Sequence, residues 1–177
     1  MRELADADRI RRFMRALGSE ADEDALAYLT GGATAVLYGW RPTTVDVDIT
    51  FVPESDRLLR AIARLKDELR VNVELVSPGD FIPLPEGWES RSLFVAREGR
   101  VSFYHFDPYS QALAKLERAH AQDLEDVRSL LAAGLVDPRV ARRLFAEIES
   151  RLYRYPAVDP GAFRARVANT FRPAGEA

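Results

Sequence analysis

The sequence predicts a mixed α/β (α+β) fold, in which a small mixed β-sheet is flanked by helices and followed by a helical C-terminal part. Two segments in the first half alternate apolar and polar residues with the two-residue period of a half-buried strand. Segments with the helical period lie around them. Short strands that alternate with helices and hairpins favour a small mixed sheet over a doubly wound parallel one.

The individual elements follow from these periods, from short apolar clusters and from turn residues. In chain order, the first half is predicted as a helix over 4–17 ending near Gly18, a short apolar segment over 27–30, helical turns over 33–38 stopped by Gly39, a strand over 45–52, a helix over 55–69, a strand over 71–76, a loop over 77–90, and a hairpin of 93–96 and 101–106. The second half is predicted as four helices, over 108–120, 123–133, 138–153 and 160–170. We therefore expect an α/β core over 1–107 and a helical region packed on it over 108–177.

The composition excludes several classes of protein. The chain has 177 residues, a formal net charge of −3 and no Cys, which excludes disulfide frameworks, thiolate metal sites and Cys nucleophiles. It contains no apolar run near the roughly 18 residues that a membrane span needs. Its first residues lack the apolar stretch of a signal peptide. A cytoplasmic protein without a membrane partner is therefore expected.

Basic residues are concentrated near the C-terminal end. Residues 137–177 carry eight Arg and five acidic side chains, a balance of +3. Such a segment suits an RNA contact, which releases counterions from the phosphates, and it equally suits a solvated helix face. The residues expected to form this surface are Arg139, Arg142, Arg143, Arg151, Arg154, Arg164 and Arg166.

Asp46 and Asp48 are the most informative residues, because they stand two apart in the predicted strand 45–52. The strand period puts both carboxylates on one face. Buried acids are costly without a partner, and a divalent cation accepts both. If the strand that carries Glu74 lies beside this one, three acids form an oxygen ligand set for Mg²⁺ or Mn²⁺. The alternative is a solvated strand face, with Glu74 on an edge strand.

Gly31 and Gly32 precede this strand, with the 13 residues 33–45 between the pair and Asp46. A Gly pair that opens a helical turn presents backbone N–H groups to an anion, and a Cβ there would crowd a phosphate. A simple turn is the alternative. Arg41 is expected either to clamp a phosphate or to close the loop.

The run Leu29-Thr30-Gly31-Gly32, followed by Val45-Asp46-Val47-Asp48-Ile49, resembles the signature of the DNA-polymerase-β-like minimal nucleotidyltransferase superfamily. Within it, the chain resembles the bacterial AbiEii/MenT-type toxin nucleotidyltransferases over roughly residues 26–135. Their Gly-Gly…Gly-x-Arg-x-Thr-x-Asp-x-Asp run is matched by Gly31, Gly32, Gly39, Arg41, Thr43 or Thr44, Asp46 and Asp48. The resemblance implies that Asp46, Asp48 and Glu74 are catalytic and hold the metal.

One position departs from the superfamily pattern, which usually has Ser after the Gly pair. Here Ala33 stands at that position and Thr34 follows. The resemblance implies nucleotide contacts from Gly31, Gly32, Thr34 and Arg41, with either Thr34 or the backbone replacing the missing hydroxyl.

A second motif of these toxins, a helical Lys…Arg…Asp-x-x-Asp pattern, is matched by Lys115, Arg118, Asp123 and Asp126. The resemblance implies that Lys115 is catalytic and that Lys115, Arg118 and Asp123 bind the nucleotide. A Lys ammonium is a compact charge suited to a triphosphate. The alternatives are a surface Lys, a helix N-cap at Asp123 and an ordinary surface ion pair. The two histidines, His105 and His120, are expected to be structural.

The resemblance implies a metal-dependent enzyme that moves a nucleoside monophosphate from an NTP to the 3′ end of RNA, and of tRNA in particular. It further implies a growth-inhibiting toxin that is neutralised by a cognate antitoxin protein. Two alternatives stay open: nucleotidyl transfer to a protein or small molecule, and an NTP-binding module without turnover, which Ala33 permits. A monomer is favoured, although the sequence does not determine the oligomeric state.

Overall fold

The computed structural model describes residues 3–173. The chain forms two compact units. The sheet unit comprises the residues up to Ser77 and Ser92–Phe106, and the helical unit comprises Pro78–Arg91 and the residues from Asp107 onward. The division predicted near residue 107 placed the segment 78–91 with the sheet, whereas in the structure it clusters with the helices. The packing of the helical region on the core stays a prediction.

The sheet unit contains one five-stranded mixed sheet. Its elements are α1 (Ala7–Glu20), β1 (Ala25–Thr30), α2 (Gly31–Leu37), β2 (Asp46–Val52), α3 (Asp56–Glu68), β3 (Asn72–Leu75), β4 (Leu93–Glu98) and β5 (Val101–His105). The strand order is β3-β2-β1-β5-β4. The pairs β1–β2 and β4–β5 are antiparallel, and the pairs β1–β5 and β2–β3 are parallel. The predicted mixed α/β fold with a small mixed sheet is therefore confirmed.

Alternation along β2 separates a core face from a polar face. Val47, Ile49 and Phe51 are buried in one apolar cluster with side chains of α1 and α3. Burying a side chain of this size contributes about 1.5–3 kcal/mol to stability. The intervening residues Asp46 and Asp48 consequently lie on the opposite face of the strand, where both are half-buried.

Helix α1 continues through Gly18 to Glu20 and does not end near Gly18 as predicted. A Cβ on Gly18 would overlap the backbone carbonyl of Glu98. This glycine therefore lets α1 approach β4 closely and does not terminate the helix. The start of α1 is fixed by Asp6, whose side chain accepts a 2.8 Å hydrogen bond from the backbone N–H of Arg9.

The helical unit contains five helices among the described residues. They are α4 (Trp88–Arg91), α5 (Pro108–Arg118), α6 (Ala121–Ala132), α7 (Pro138–Glu149) and α8 (Pro160–Thr170). The predicted loop 77–90 holds a 3₁₀ turn at Pro78–Asp80 and the start of α4, and the predicted helix 138–153 ends at Glu149. Within residues 3–173, no helix has both the length and the apolar character needed to cross a bilayer.

The buried carboxylate of Asp107 joins the segment 78–91 to α5. Its Oδ2 accepts hydrogen bonds from Nε and Nη2 of Arg91 at 3.1 and 2.9 Å and from the Ser110 hydroxyl at 2.8 Å. Its Oδ1 accepts a 3.1 Å hydrogen bond from the backbone N–H of Tyr109. A fully buried carboxylate is tolerated only with such partners. This network explains why the segment belongs to the helical unit.

Candidate functional site

The parallel pairing of β2 with β3 places further polar residues beside the two aspartates. Asp46 lies opposite Asn72, and Asp48 lies opposite Glu74. The Asn72 side-chain amide donates a hydrogen bond to Oδ1 of Asp46. Because register partners in a sheet project to the same face, all four side chains belong to the polar face. The strand of Glu74 thus lies where the three-acid hypothesis requires it.

Glu74 differs from the two aspartates in its exposure to solvent. Its side chain is exposed, whereas Asp46 and Asp48 are half-buried. Over residues 3–173, no three His, Cys, Asp or Glu side chains converge as a set that could hold a metal ion. The geometry therefore brings Asp46 and Asp48 together on one face. The metal-binding and catalytic roles of these three acids stay predictions.

The Gly31–Gly32 turn lies directly against the acidic strand. Gly31 has a φ of +59°, which favours glycine, and a Cβ there would lie 2.5 Å from Oδ2 of Asp48. A Cβ on Gly32 would overlap the Thr44 hydroxyl oxygen. That hydroxyl donates a 3.1 Å hydrogen bond to the backbone carbonyl of Asp46. The glycine pair is thus required by close packing of Gly31 against Asp48 and of Gly32 against Thr44.

The hydroxyl of Thr34 is used inside the fold. Thr34 is buried, its Oγ1 donates to the Leu29 carbonyl at 3.3 Å, and it lies 3.0 Å from Nδ1 of His105. These contacts hold α2 to β1 and β5. The nucleotide contacts predicted for Thr34 and for Arg41, which is half-buried in the loop after α2, stay predictions.

Two residues near the aspartates were not chosen from the sequence as site residues. Asn72 holds Asp46, and Thr44 contacts both Gly32 and the Asp46 backbone. The signal for Asn72 was present, since it precedes Glu74 by two residues and so shares its face. Thr44 lies in a loop, so its position could not be derived from a strand or helix period. The motif match did not distinguish Thr44 from Thr43.

The second predicted motif forms a buried charge cluster in the helical unit. Nζ of Lys115 lies 2.7 Å from Oδ2 of Asp126 and 3.4 Å from Oδ1 of Asp123. Nη2 of Arg118 lies 2.7 Å from the same Oδ1 of Asp123. Lys115, Asp123 and Asp126 are each at least 94% buried. Two cations and two anions therefore balance one another inside this unit.

A break between two helices creates this cluster. Helix α5 ends at Arg118, and Ala119 adopts a left-handed φ of +55° before α6 begins at Ala121. Asp123 consequently lies in the first turn of α6 and is not its N-cap, so the N-cap alternative was wrong. A continuous helix would separate Lys115 and Asp123 by about 12 Å along its axis.

Opposing effects act on the pKa of Asp123. Burial alone would raise it, but the hydrogen bond from Arg118 and the charges of Lys115 and Arg118 outweigh burial and hold the pKa below its usual value. Asp123 therefore stays ionised near neutral pH. Arg118 also lies over the Phe81 ring, 4.7 Å from its centroid, which orients the guanidinium.

A cleft of about 680 Å³ in the helical unit does not suit a phosphate. Glu86, Glu89 and Glu147 line it together with one cation, Arg151. The excess of carboxylates would repel a polyanion. This cleft is therefore not favoured as a phosphate site in the absence of a cation.

The mixed sheet, the diglycine turn and the paired aspartates define a nucleotidyltransferase-like α+β protein. The comparison with family models agrees with this class. Residues 7–159 match the family DUF6036, described as nucleotidyltransferases of unknown function, and the chain belongs to this family. No curated protein and no solved structure matches the chain. The narrower resemblance to AbiEii/MenT-type toxins stays a prediction.

Proposed function

We propose that this nucleotidyltransferase uses a divalent cation, held by Asp46 and Asp48, to transfer a nucleoside monophosphate from an NTP to an acceptor hydroxyl. One observation carries the proposal. Two half-buried carboxylates share a face of β2, and Asp48 lies so close to the Gly31 turn that a Cβ there would be 2.5 Å from its Oδ2. Carboxylates and a tight glycine turn together suit a metal–phosphate complex.

The donor set fits Mg²⁺ or Mn²⁺. Mg²⁺ prefers oxygen ligands and is commonly bound through one or two carboxylates, with water and substrate phosphates completing its shell. Asp46 and Asp48 supply the two carboxylates. The hydrogen bond from Asn72 orients the Asp46 carboxylate. A metal-binding side chain that is held in place by such a hydrogen bond binds the metal more tightly. Glu74, opposite Asp48 on β3, is the proposed third carboxylate.

In the proposed reaction, the acceptor oxygen forms a bond to the α-phosphorus, and the bond from that phosphorus to the bridging oxygen breaks. Diphosphate leaves with the electron pair of that bond. When bound, the cation supplies charge neutralisation to the triphosphate and lowers the pKa of the attacking hydroxyl. Asp46 and Asp48 would hold that cation, and Glu74, which is exposed to solvent, takes up the proton of the acceptor hydroxyl.

The proposed acceptor is the 3′ end of an RNA, and of tRNA in particular, in the cytoplasm, with a cognate antitoxin as regulator. The toxin resemblance supports this choice. Arg139, Arg143 and Arg154 are exposed and available to RNA phosphates. Other arginines of this segment have internal partners: Arg151 donates to the Leu84 carbonyl, Arg164 pairs with Glu149, and Arg166 donates to the Glu117 carbonyl.

A labelling experiment tests the reaction and the acceptor together. The protein is incubated with each radiolabelled NTP, Mg²⁺ and total tRNA, beside Asp46→Asn and the matched control Asp8→Asn. Asp8 is a suitable control because its side chain is 93% exposed on α1. We expect label in tRNA from at least one NTP with the unmodified chain and Asp8→Asn, and none with Asp46→Asn.

The fractions of the same experiment distinguish the alternatives. Label in protein or in a small molecule selects transfer to that acceptor and rejects RNA. Nucleotide–Mg²⁺ binding in calorimetry, without diphosphate release against any acceptor, selects a binding module. Equal labelling by the unmodified chain and Asp46→Asn overturns the proposed metal site.

A further inference from the structure

Three aromatic rings of the sheet unit form an ordered stack at the end of α2. Tyr38 lies between the other two rings. Its centroid is 4.9 Å from that of Trp40, with an interplanar angle of 11°, and 4.5 Å from that of His105, with an angle of 27°. These separations are those of favourable aromatic stacking. The three rings therefore form one continuous stack.

The inner end of the stack is anchored in the fold. His105 ends β5, is 7% exposed, and has its Nδ1 3.0 Å from the Thr34 hydroxyl. Burial lowers the pKa of His105 to about 4, so the imidazole is uncharged near neutral pH. Tyr38 thus rests on a neutral aromatic ring whose position is fixed by the sheet.

The outer ring is positioned by the turn that ends α2. The backbone N–H of Gly39 donates to the Val36 carbonyl, and that of Trp40 donates to the Ala35 carbonyl, both at 2.9 Å. Gly39 has a φ of +77°, a conformation that favours glycine. The turn reverses the chain, so that the indole of Trp40 returns over the Tyr38 ring.

Part of the stack lies at the protein surface. Tyr38 is 37% exposed, Trp40 is half-buried, and a Cβ added to Gly39 would meet nothing within 4 Å. Rigid aromatic rings at a surface are the usual platforms on which proteins stack unpaired bases. A flat uncharged surface recognises any base through its π-face, independent of hydrogen bonding.

We propose that the outer face of Trp40, supported by Tyr38 and His105, is a stacking surface for an unpaired nucleobase. The position agrees with the proposed function, on which the choice of a nucleotide ligand rests. Helix α2 begins at the Gly31 turn beside Asp48 and has seven residues, so the stack lies at the other end of a helix about 10 Å long. The base belongs either to the NTP or to the acceptor strand, and the experiment separates these sources.

Trp40 itself reports on the ligand, because stacking on a base quenches indole fluorescence. The sequence contains two Trp, so Trp88→Phe leaves Trp40 as the single indole, which is excited selectively over the tyrosines. This full-length variant is titrated separately with each NTP, with inorganic tripolyphosphate, with a single-stranded RNA ending in CCA, and with the same RNA carrying an abasic 3′ residue. No titration contains both NTP and acceptor, so turnover does not occur.

We expect saturable quenching by a ligand that carries the base and none by its matched ligand without the base. Quenching by an NTP but not by tripolyphosphate identifies the NTP as the source. Quenching by the intact RNA but not by the abasic RNA identifies the acceptor. Absence of quenching in every titration, or equal quenching with and without the base, overturns the proposal.

Affinity measurements provide the second readout. In calorimetry with the ligand identified above, Trp40→Ala is expected to weaken binding about 5- to 150-fold, the range that stacking of one base contributes. Trp40→Phe, which keeps a ring, should lose less. If Trp40→Ala melts early in circular dichroism, Trp40→Leu keeps the bulk without the ring. Equal affinity for the Phe and Leu variants contradicts a stacking role.

The outcome is distinguishable from that of the proposed reaction. Base-dependent quenching without any transferred label supports the stacking surface and contradicts the proposed transfer reaction. Label transfer without base-dependent quenching supports the transfer reaction and contradicts the stacking surface.

Discussion

Two groups of charged residues in this protein differ in burial and in the partners that they contact. In the helical unit, Lys115, Arg118, Asp123 and Asp126 are close enough to neutralise one another, and three of the four are almost completely buried. On the polar face of the sheet unit, Asp46 and Asp48 are half-buried, and Asp46 accepts a hydrogen bond from the uncharged amide of Asn72. Most of the first group is buried, with its cations and anions in contact, and the second group is half-buried.

We expect the difference to separate charges that stabilise the fold from charges that can serve a ligand. The catalytic role predicted for Lys115 and the nucleotide contacts predicted for Lys115, Arg118 and Asp123 stay predictions. Removing one member of a buried cluster leaves the others without compensation, so such single substitutions are strongly destabilising. Removing a half-buried carboxylate that is held by a neutral donor does not leave a buried opposite charge without its partner. We therefore expect substitutions in the helical unit to change the free energy of unfolding, and substitutions on β2 to change activity.

The largest effect is expected on activity at β2. Asp48→Asn should lower the rate of nucleotidyl transfer at least about 1000-fold, because several kcal/mol of charge stabilisation are lost and each 1.4 kcal/mol is a tenfold change. The free energy of unfolding, measured in urea, should change by less than about 1 kcal/mol. A large loss of stability in Asp48→Asn would show that the β2 carboxylates are also structural, as expected of the cluster in the helical unit.

A comparably large effect, but on stability, is expected in the helical unit. Lys115→Met should lower the free energy of unfolding by about 3–5 kcal/mol, because Asp123 and Asp126 stay buried with Arg118 as the remaining cation. The matched control is Lys66→Met, which alters the other Lys of the sequence and should cost less than about 0.5 kcal/mol. Similar values for the two variants would show that the cluster is not structural.

A smaller, pH-dependent effect is expected at His105. Its pKa of about 4 in the folded protein lies below the ordinary value of 6.5, so between these values the unfolded chain binds the proton and the folded chain does not. The free energy of unfolding should therefore fall as the pH is lowered, by about 2 kcal/mol between pH 7 and pH 5.

His105→Gln should remove this slope in urea titrations at the two pH values. The exposed His120 provides the control, since His120→Gln should keep the slope. A slope that survives in His105→Gln would assign the proton uptake to another group.

The last prediction concerns the Gly31 turn and combines a moderate effect on stability with an effect on activity. Gly31→Ala should cost about 1–2 kcal/mol, the usual strain of a residue with a Cβ at a left-handed φ. Gly134→Ala has the same strain, with a φ of +69°, but its Cβ would meet nothing within 4 Å. The activity should fall in Gly31→Ala alone, because its Cβ displaces the Asp48 carboxylate. Equal activity in both variants would show that the Gly31 turn does not contribute to the active site.

Much of the sheet unit could be predicted from the sequence, because its signals are local. The alternation in residues 45–52 fixed both the strand and the shared face of Asp46 and Asp48. The alternation in residues 71–76 predicted the second strand, which carries Glu74. In the structure this strand pairs with β2, and Glu74 lies opposite Asp48. The family match over residues 7–159 supports the nucleotidyltransferase interpretation of these motifs at the level of the family.

Other features depend on contacts between distant residues and left no local signal. The backbone of Glu98 determines the role of Gly18, which in isolation is a helix terminator. A break between the helices 108–120 and 123–133 was predicted, but its place at Ala119 was not, because alanine rarely takes a left-handed conformation. Likewise, the contact of Asp107 with Arg91 joins residues 16 positions apart and left no signal in either segment.

The parallel pairing of β1 with β5 has a consequence for the synthesis of the chain. Strand β1 occupies the middle of the sheet, yet its partner Val101 lies 76 positions after Ala25. At about 5–20 residues per second, a ribosome needs several seconds to make the chain between these strands. During that interval the edge of β1 is unpaired on one side, so the nascent chain is most exposed to chaperones and to aggregation before the last strand emerges.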